Sequence, residues 1–74
     1  MCVGSDEKFK ENIEVIGSEQ GIPIVRFNYR GSKHLWKGVI AQAVRMVRPD
    51  CVIERPDGLY VNYAKLGIRL EMLT

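Results

Sequence analysis

Cys51-Val52-Ile53-Glu54-Arg55-Pro56-Asp57-Gly58-Leu59-Tyr60-Val61-Asn62-Tyr63 holds two short runs of β-branched and aromatic residues around a Pro-Asp-Gly turn. The proline fixes φ, the aspartate supplies a side-chain acceptor, and the glycine tolerates a positive φ. This is the strongest hairpin signal in the chain, and it predicts two antiparallel strands. Immediately upstream, Val39 to Arg48 switches to a helical period: Ile40, Ala43, Val44 and Val47 share one face, Gln42, Arg45 and Arg48 the other, and Pro49 stops it. Before that, Ile24 to Tyr29 alternates, with Val25, Phe27 and Tyr29 on one side and Ile24, Arg26 and Asn28 on the other, as a strand would.

The two ends are read from weaker signals. Ser5-Asp6-Glu7 has the form of a helix start, a hydroxyl N-cap followed by acids in the first turn. Phe9, Ile13 and Ile16 then fall at helical spacing, and Gly17 with Gly21-Ile22-Pro23 ends the run. The tail fits two patterns. Leu66, Leu70 and Leu73 suit a helix capped by Asn62, whereas Leu66, Ile68, Leu70 and Met72 alternate as a strand; the reading favours the helix. Together these elements predict a small α+β domain with short helices and a β-hairpin.

Size bears on assembly. A chain of 74 residues buries only about 60% of the surface it exposes when unfolded. Domains this small commonly add disulfides, metals or partner subunits. Cys2 and Cys51 allow at most one bridge, with Cys2 expected in a loose tail, and a lone His34 cannot build a metal site. No metal or cofactor is therefore expected, and oligomerisation is the remaining means of support. No apolar run reaches the roughly 18 residues of a membrane span, so no membrane role is expected. Net charge is +2, arranged as −3 over residues 1–25 and +5 over the rest. Such asymmetry can steer one surface onto another. Arg45 and Arg48 read as a solvated face; the low charge and the lack of interleaved aromatics point away from nucleic acid.

Ser5-Asp6-Glu7-Lys8-Phe9-Lys10-Glu11-Asn12-Ile13 resembles the Ser-Asp-x-Arg-Leu-Lys-x-Asn-Ile signature of the phage tailspike and tail-fibre intramolecular chaperone domain, the peptidase S74 family. Gly38-Val39-Ile40-Ala41-Gln42-Ala43-Val44 is similar to that family's Gly-Val-Ile-Ala-Gln-x-Val segment. Arg48-Pro49-Asp50, Pro56-Asp57-Gly58 and Val61-Asn62-Tyr63-Ala64-Lys65-Leu66 follow in the expected order, so the likeness runs from Ser5 to about Leu66.

The resemblance implies a domain, residues 5–74, that assembles as an intertwined homotrimer and guides the folding of a phage tail fibre or spike polypeptide. Residues 1–4 would be a tail left by an upstream fibre segment or a tag. It further implies a single self-cleavage between Gly4 and Ser5, with Ser5 as nucleophile and Lys10 as base, in the host bacterial cytoplasm during assembly or on the virion tail if the domain is not released. On a regular helix, five residues would leave Ser5 and Lys10 roughly 140° apart. Either Ser5 lies outside the helix and the lysine reaches back, or the base comes from another chain. By residue type alone, Ser5 is an N-cap and Lys10 a surface partner of Asp6 and Glu7. The alternative is then a non-proteolytic structural trimerisation domain of a virion protein.

Overall fold

The computed structural model describes residues 2–74. The hairpin forms as the turn chemistry dictates: strands β5 (Val52–Arg55) and β6 (Gly58–Asn62) pair antiparallel with Arg55 opposite Gly58, leaving Pro56 and Asp57 as the two-residue loop. Its other edge is taken by β1 (Cys2–Gly4), giving a sheet of order β1-β6-β5. Cys2 is thus part of a strand opposite Asn62, not of a loose tail. Both cysteines are free thiols.

The second sheet holds β2 (Lys10–Glu19), β3 (Ile22–Tyr29), β4 (Leu35–Gly38) and β7 (Glu71–Met72) in the order β2-β3-β4-β7. Here the expectation of an N-terminal helix fails. Residues 7–9 make one 3₁₀ turn, and the chain then runs extended for ten residues. The helical spacing of Phe9, Ile13 and Ile16 was coincidental; Ile13, Val15 and Ile16 are β-branched and suit a strand. Gln20 and Gly21, both at positive φ (56° and 75°), make the tight turn of a β2–β3 hairpin.

Between β4 and β5 lies helix α1 (Ala41–Val47), close to the predicted span. Its buried stripe is Ala41 and Val44, however, while Ile40 is half-buried and Val47 is exposed. Val47 stands in the last turn, where the helix has already left the core. The favoured tail helix through Leu70 and Leu73 does not form, and the alternating strand survives only at Glu71–Met72. One helical turn, α2 (Tyr63–Leu66), is capped by Asn62, whose Oδ1 accepts the Lys65 N–H at 3.0 Å, and is ended by Gly67 in the left-handed region; β7 follows. Ile22, Ile24, Val39, Ala41, Val44, Leu59, Val61 and Leu66 are the heart of the core, drawn from both sheets and both helices. The result is the expected small α+β domain.

Candidate functional site

Ser5 is pinned by its own backbone. Its N–H and that of Asp6 both donate to the Leu59 carbonyl at 3.0 Å, and its carbonyl accepts the Ala41 N–H at 2.7 Å. The residue is therefore clamped between β6 and the start of α1, fully buried. It does not cap a helix. That role falls to Asp6, whose Oδ1 accepts the Lys8 N–H at 3.0 Å and the Gln42 amide at 2.8 Å, while its Oδ2 accepts the Leu59 N–H at 3.0 Å. Burial would raise the Asp6 pKa, but these donors and the nearby Lys8 charge outweigh it and hold the carboxyl below its ordinary value. Gln42 completes the clamp, its Oε1 accepting the Glu7 N–H at 3.0 Å.

The 3₁₀ turn between Asp6 and Lys10 reverses the chain, so the lysine reaches back to the serine within one chain. Lys10 Nζ lies 2.8 Å from Ser5 Oγ, in hydrogen-bond contact with the Val39 carbonyl, and 4.1 Å from the centroid of the Phe27 ring. Only 1% of Lys10 is exposed, so it is no surface ion pair. A lysine without water around it holds its proton poorly. Burial lowers the Lys10 pKa to about 7 against the opposing pull of the Asp6 carboxylate. Near neutral pH a substantial fraction of the amine is free, which is what a serine hydroxyl needs from a base.

The Ser5 hydroxyl donates to the Val39 carbonyl at 2.7 Å and lies 3.0 Å from the Tyr63 hydroxyl. The Val39 N–H in turn donates to Tyr63 Oη at 3.2 Å. Tyr63 fits only because position 38 is glycine: a Cβ there would come within 2.8 Å of its hydroxyl oxygen and of a Leu70 methyl. The segment Gly38-Val39-Ile40-Ala41-Gln42 thus acts as a cradle: an open backbone at Gly38, a carbonyl at Val39, an amide at Ala41 and a clamp at Gln42. The helical period puts Gln42 on the polar face of α1, but nothing in the sequence shows that Val39 and Tyr63 meet Ser5. Their order in the shared segments was the one available pointer.

Among the described residues, no group of three or more His, Cys, Asp or Glu side chains could hold a metal ion. Nor, among the described residues, is any helix long and apolar enough to cross a membrane. Gly4, the other residue expected at the site, ends β1 opposite Tyr60 and carries its carbonyl toward Tyr29, whose hydroxyl donates to it at 3.0 Å. The arrangement is a sealed serine–lysine contact beside the Gly4–Ser5 peptide bond.

Comparison with curated proteins and with solved structures yields no match. A family profile does match, over residues 5–53, and its description is the chaperone of endosialidase. That span opens on Ser5, contains Lys10 and the whole Gly38–Gln42 cradle, and covers about two thirds of the chain; the protein belongs to the peptidase S74 chaperone family.

Proposed function

We propose that this domain is a trimeric chaperone for a phage tail fibre or spike and that it cuts itself once, between Gly4 and Ser5, with the Ser5–Lys10 pair of a single chain. The observation that carries the reading is the buried 2.8 Å contact between Ser5 Oγ and Lys10 Nζ. A structural serine needs no lysine, and a structural lysine is not sealed away from water beside a hydroxyl.

In the reaction the neutral Lys10 amine takes the Ser5 Oγ proton, the hydroxyl turning away from the Val39 carbonyl to give it. Oγ attacks the Gly4 carbonyl carbon, closing a five-membered ring with the Ser5 N, Cα and Cβ. The C–N bond then breaks as the Ser5 nitrogen takes the proton back from Lys10, leaving an ester between Gly4 and Ser5 Oγ. Water adds to the ester carbon, the C–Oγ bond breaks, and the products are a Gly4 carboxylate and a free Ser5 amine and hydroxyl. The Tyr63 hydroxyl, 3.0 Å from Ser5 Oγ, can donate to it as it becomes negative, giving up its long 3.5 Å contact with the Val39 carbonyl.

Assembly is supported by the surface. Ile13, Val15 and Ile16 are exposed on β2, a ten-residue strand at the edge of its sheet. Long apolar edges of this kind are a liability unless another chain covers them. On this reading the work is done in the host bacterial cytoplasm while the fibre folds.

The test is to extend the chain upstream of Met1, release it from denaturant and follow the split by gel and intact mass. The parent should yield a fragment beginning at Ser5, and Ser5→Ala and Lys10→Ala should each abolish it. Mixing the two variants before folding should restore nothing, because the pair is intrachain. A parent that stays whole, or a mixture that cuts, contradicts the proposed chemistry.

A further inference from the structure

At Gly4, the residue before Ser5, lies an open cleft of about 350 Å³ whose walls include Gly4, Phe9, Tyr29, Trp36 and Tyr60. It is mostly apolar, and the Tyr29 hydroxyl reaches the Gly4 carbonyl oxygen at 3.0 Å within it. We propose that Tyr29 is a catalytic residue of the self-cleavage, its hydroxyl holding the Gly4 carbonyl oxygen as that oxygen becomes negative, and that the cleft admits the water which hydrolyses the ester. The inference rests on the Ser5–Lys10 reading and supplies its missing half: a nucleophile and a base are described above, but nothing yet receives the charge on the Gly4 carbonyl oxygen.

Several independent features place the hydroxyl for this role. Tyr29 and Lys10 are cross-strand partners in the β2–β3 ladder, so one register sets both the base and the donor. A slip of one residue would put the two side chains on opposite faces of the sheet. The ring is held edge-on by Phe27 (5.1 Å between centroids) and by Trp36 (5.8 Å), which fixes the direction of its hydroxyl. Burial, with the neighbouring Tyr63 hydroxyl, pushes the Tyr29 pKa up to about 12, so it remains a donor wherever Lys10 is a working base. Donors fixed in advance at a developing oxyanion contribute more than those that must reorient.

The same cleft explains why glycine precedes Ser5. A Cβ at position 4 would stand 3.1 Å from Phe9 Cε2, tight enough to force the ring to move. The bare backbone lets the carbonyl lie against the aromatic wall within reach of Tyr29. Water has access there, since Gly4 is half-buried while Ser5 is sealed.

The experiment compares the upstream-extended parent, Ser5→Ala and Tyr29→Phe across pH 5 to 9 after release from denaturant. Tyr29→Phe keeps the ring and its edge-on contacts and removes one oxygen. Its plateau rate should fall about 10²–10³-fold, the usual cost of losing one oxyanion donor, while the midpoint of the pH profile stays near that of the parent because Lys10 is untouched. A merely structural change would instead shift that midpoint by letting water reach Lys10. If the parent cuts, Ser5→Ala is silent and Tyr29→Phe cuts at the parent rate, the Tyr29 assignment falls and the serine–lysine reading stands. If the parent does not cut, or Ser5→Ala cuts as fast, both fall together. Should Tyr29→Phe melt well below the parent, 3-fluorotyrosine at position 29 replaces it: a stronger donor of nearly the same shape should speed cutting, and an unchanged rate overturns the assignment.

Discussion

The first residue of β2 and its exposed middle invert the usual rule of protein surfaces. At its first residue a lysine is buried to 1% exposure; five residues later, Val15 is 65% exposed. Burying an ammonium costs several kcal/mol unless it is paired or discharged, and leaving a valine in water forfeits the gain of burying it. One strand therefore carries two unfavourable choices of opposite kind. The inner end raises the energy of a proton, and that makes a base. The exposed middle leaves an apolar edge uncovered, and that suits an interface. Neither choice helps a lone domain fold, so each points to something the domain does.

Replacing the inner lysine should break this contrast most visibly. The folded Lys10 pKa of about 7 lies below the value of 10.5 for an ordinary lysine. Between these limits the unfolded chain binds the extra proton, so stability rises with pH, by up to about 1.4 kcal/mol per pH unit for this single group. The penalty is complete below pH 7 and is relieved above it. Beyond pH 10 the trend reverses, since burial holds the proton on Tyr29 up to about 12 while the unfolded phenol has lost its own. Lys10→Met should flatten the rise and leave the domain as stable or more stable at pH 6, as buried charges replaced by apolar groups often do. Chemical denaturation at pH 6, 7, 8 and 9 checks this, and a parent whose stability is level over that range would refute it.

A smaller effect separates inside from outside along α1. Val44 is fully buried and Val47 is 46% exposed. Val44→Ala should cost about 1–3 kcal/mol, and Val47→Ala no more than about 0.5 kcal/mol. Equal melting shifts in the two variants would mean that the helix is rotated from the position described.

The smallest effect on stability is expected in the exposed middle of β2. Val15→Lys should change the unfolding free energy by less than about 0.5 kcal/mol, yet weaken assembly because it charges the exposed edge. Light scattering with denaturation on the same samples reads both quantities. A variant that loses stability but keeps its assembly state would reverse the roles assigned to the two stretches.

The parts of the fold legible in the sequence were those with local causes. Pro56-Asp57-Gly58 makes its turn with its own backbone preferences, Ile24 to Tyr29 alternates, and Pro49 ends α1 whatever surrounds it. Residues 5–19 were misread because three local cues agreed by accident: an N-cap-like serine, two acids, and apolar residues at helical spacing. The countersignals were present in the β-branched Ile13, Val15 and Ile16 and in the Gln20-Gly21 turn. Ser5 and Lys10 were legible through the family resemblance, not through spacing, since an unbroken helix would have kept them apart. The Val39 carbonyl, Tyr63 and Tyr29 come from segments 24 to 58 residues away from Ser5, and only the folded chain brings them together.

The state of the Lys10 amine is the point on which the account depends. Lysine labelled with ¹³C at Cε, followed by NMR from pH 5 to 11, observes it directly, and the signal that vanishes in Lys10→Met assigns it. The account predicts one lysine titrating near pH 7, well separated from the others. If Lys10 titrates with them near its ordinary value of 10.5, the amine is charged at neutral pH and Ser5 has no base.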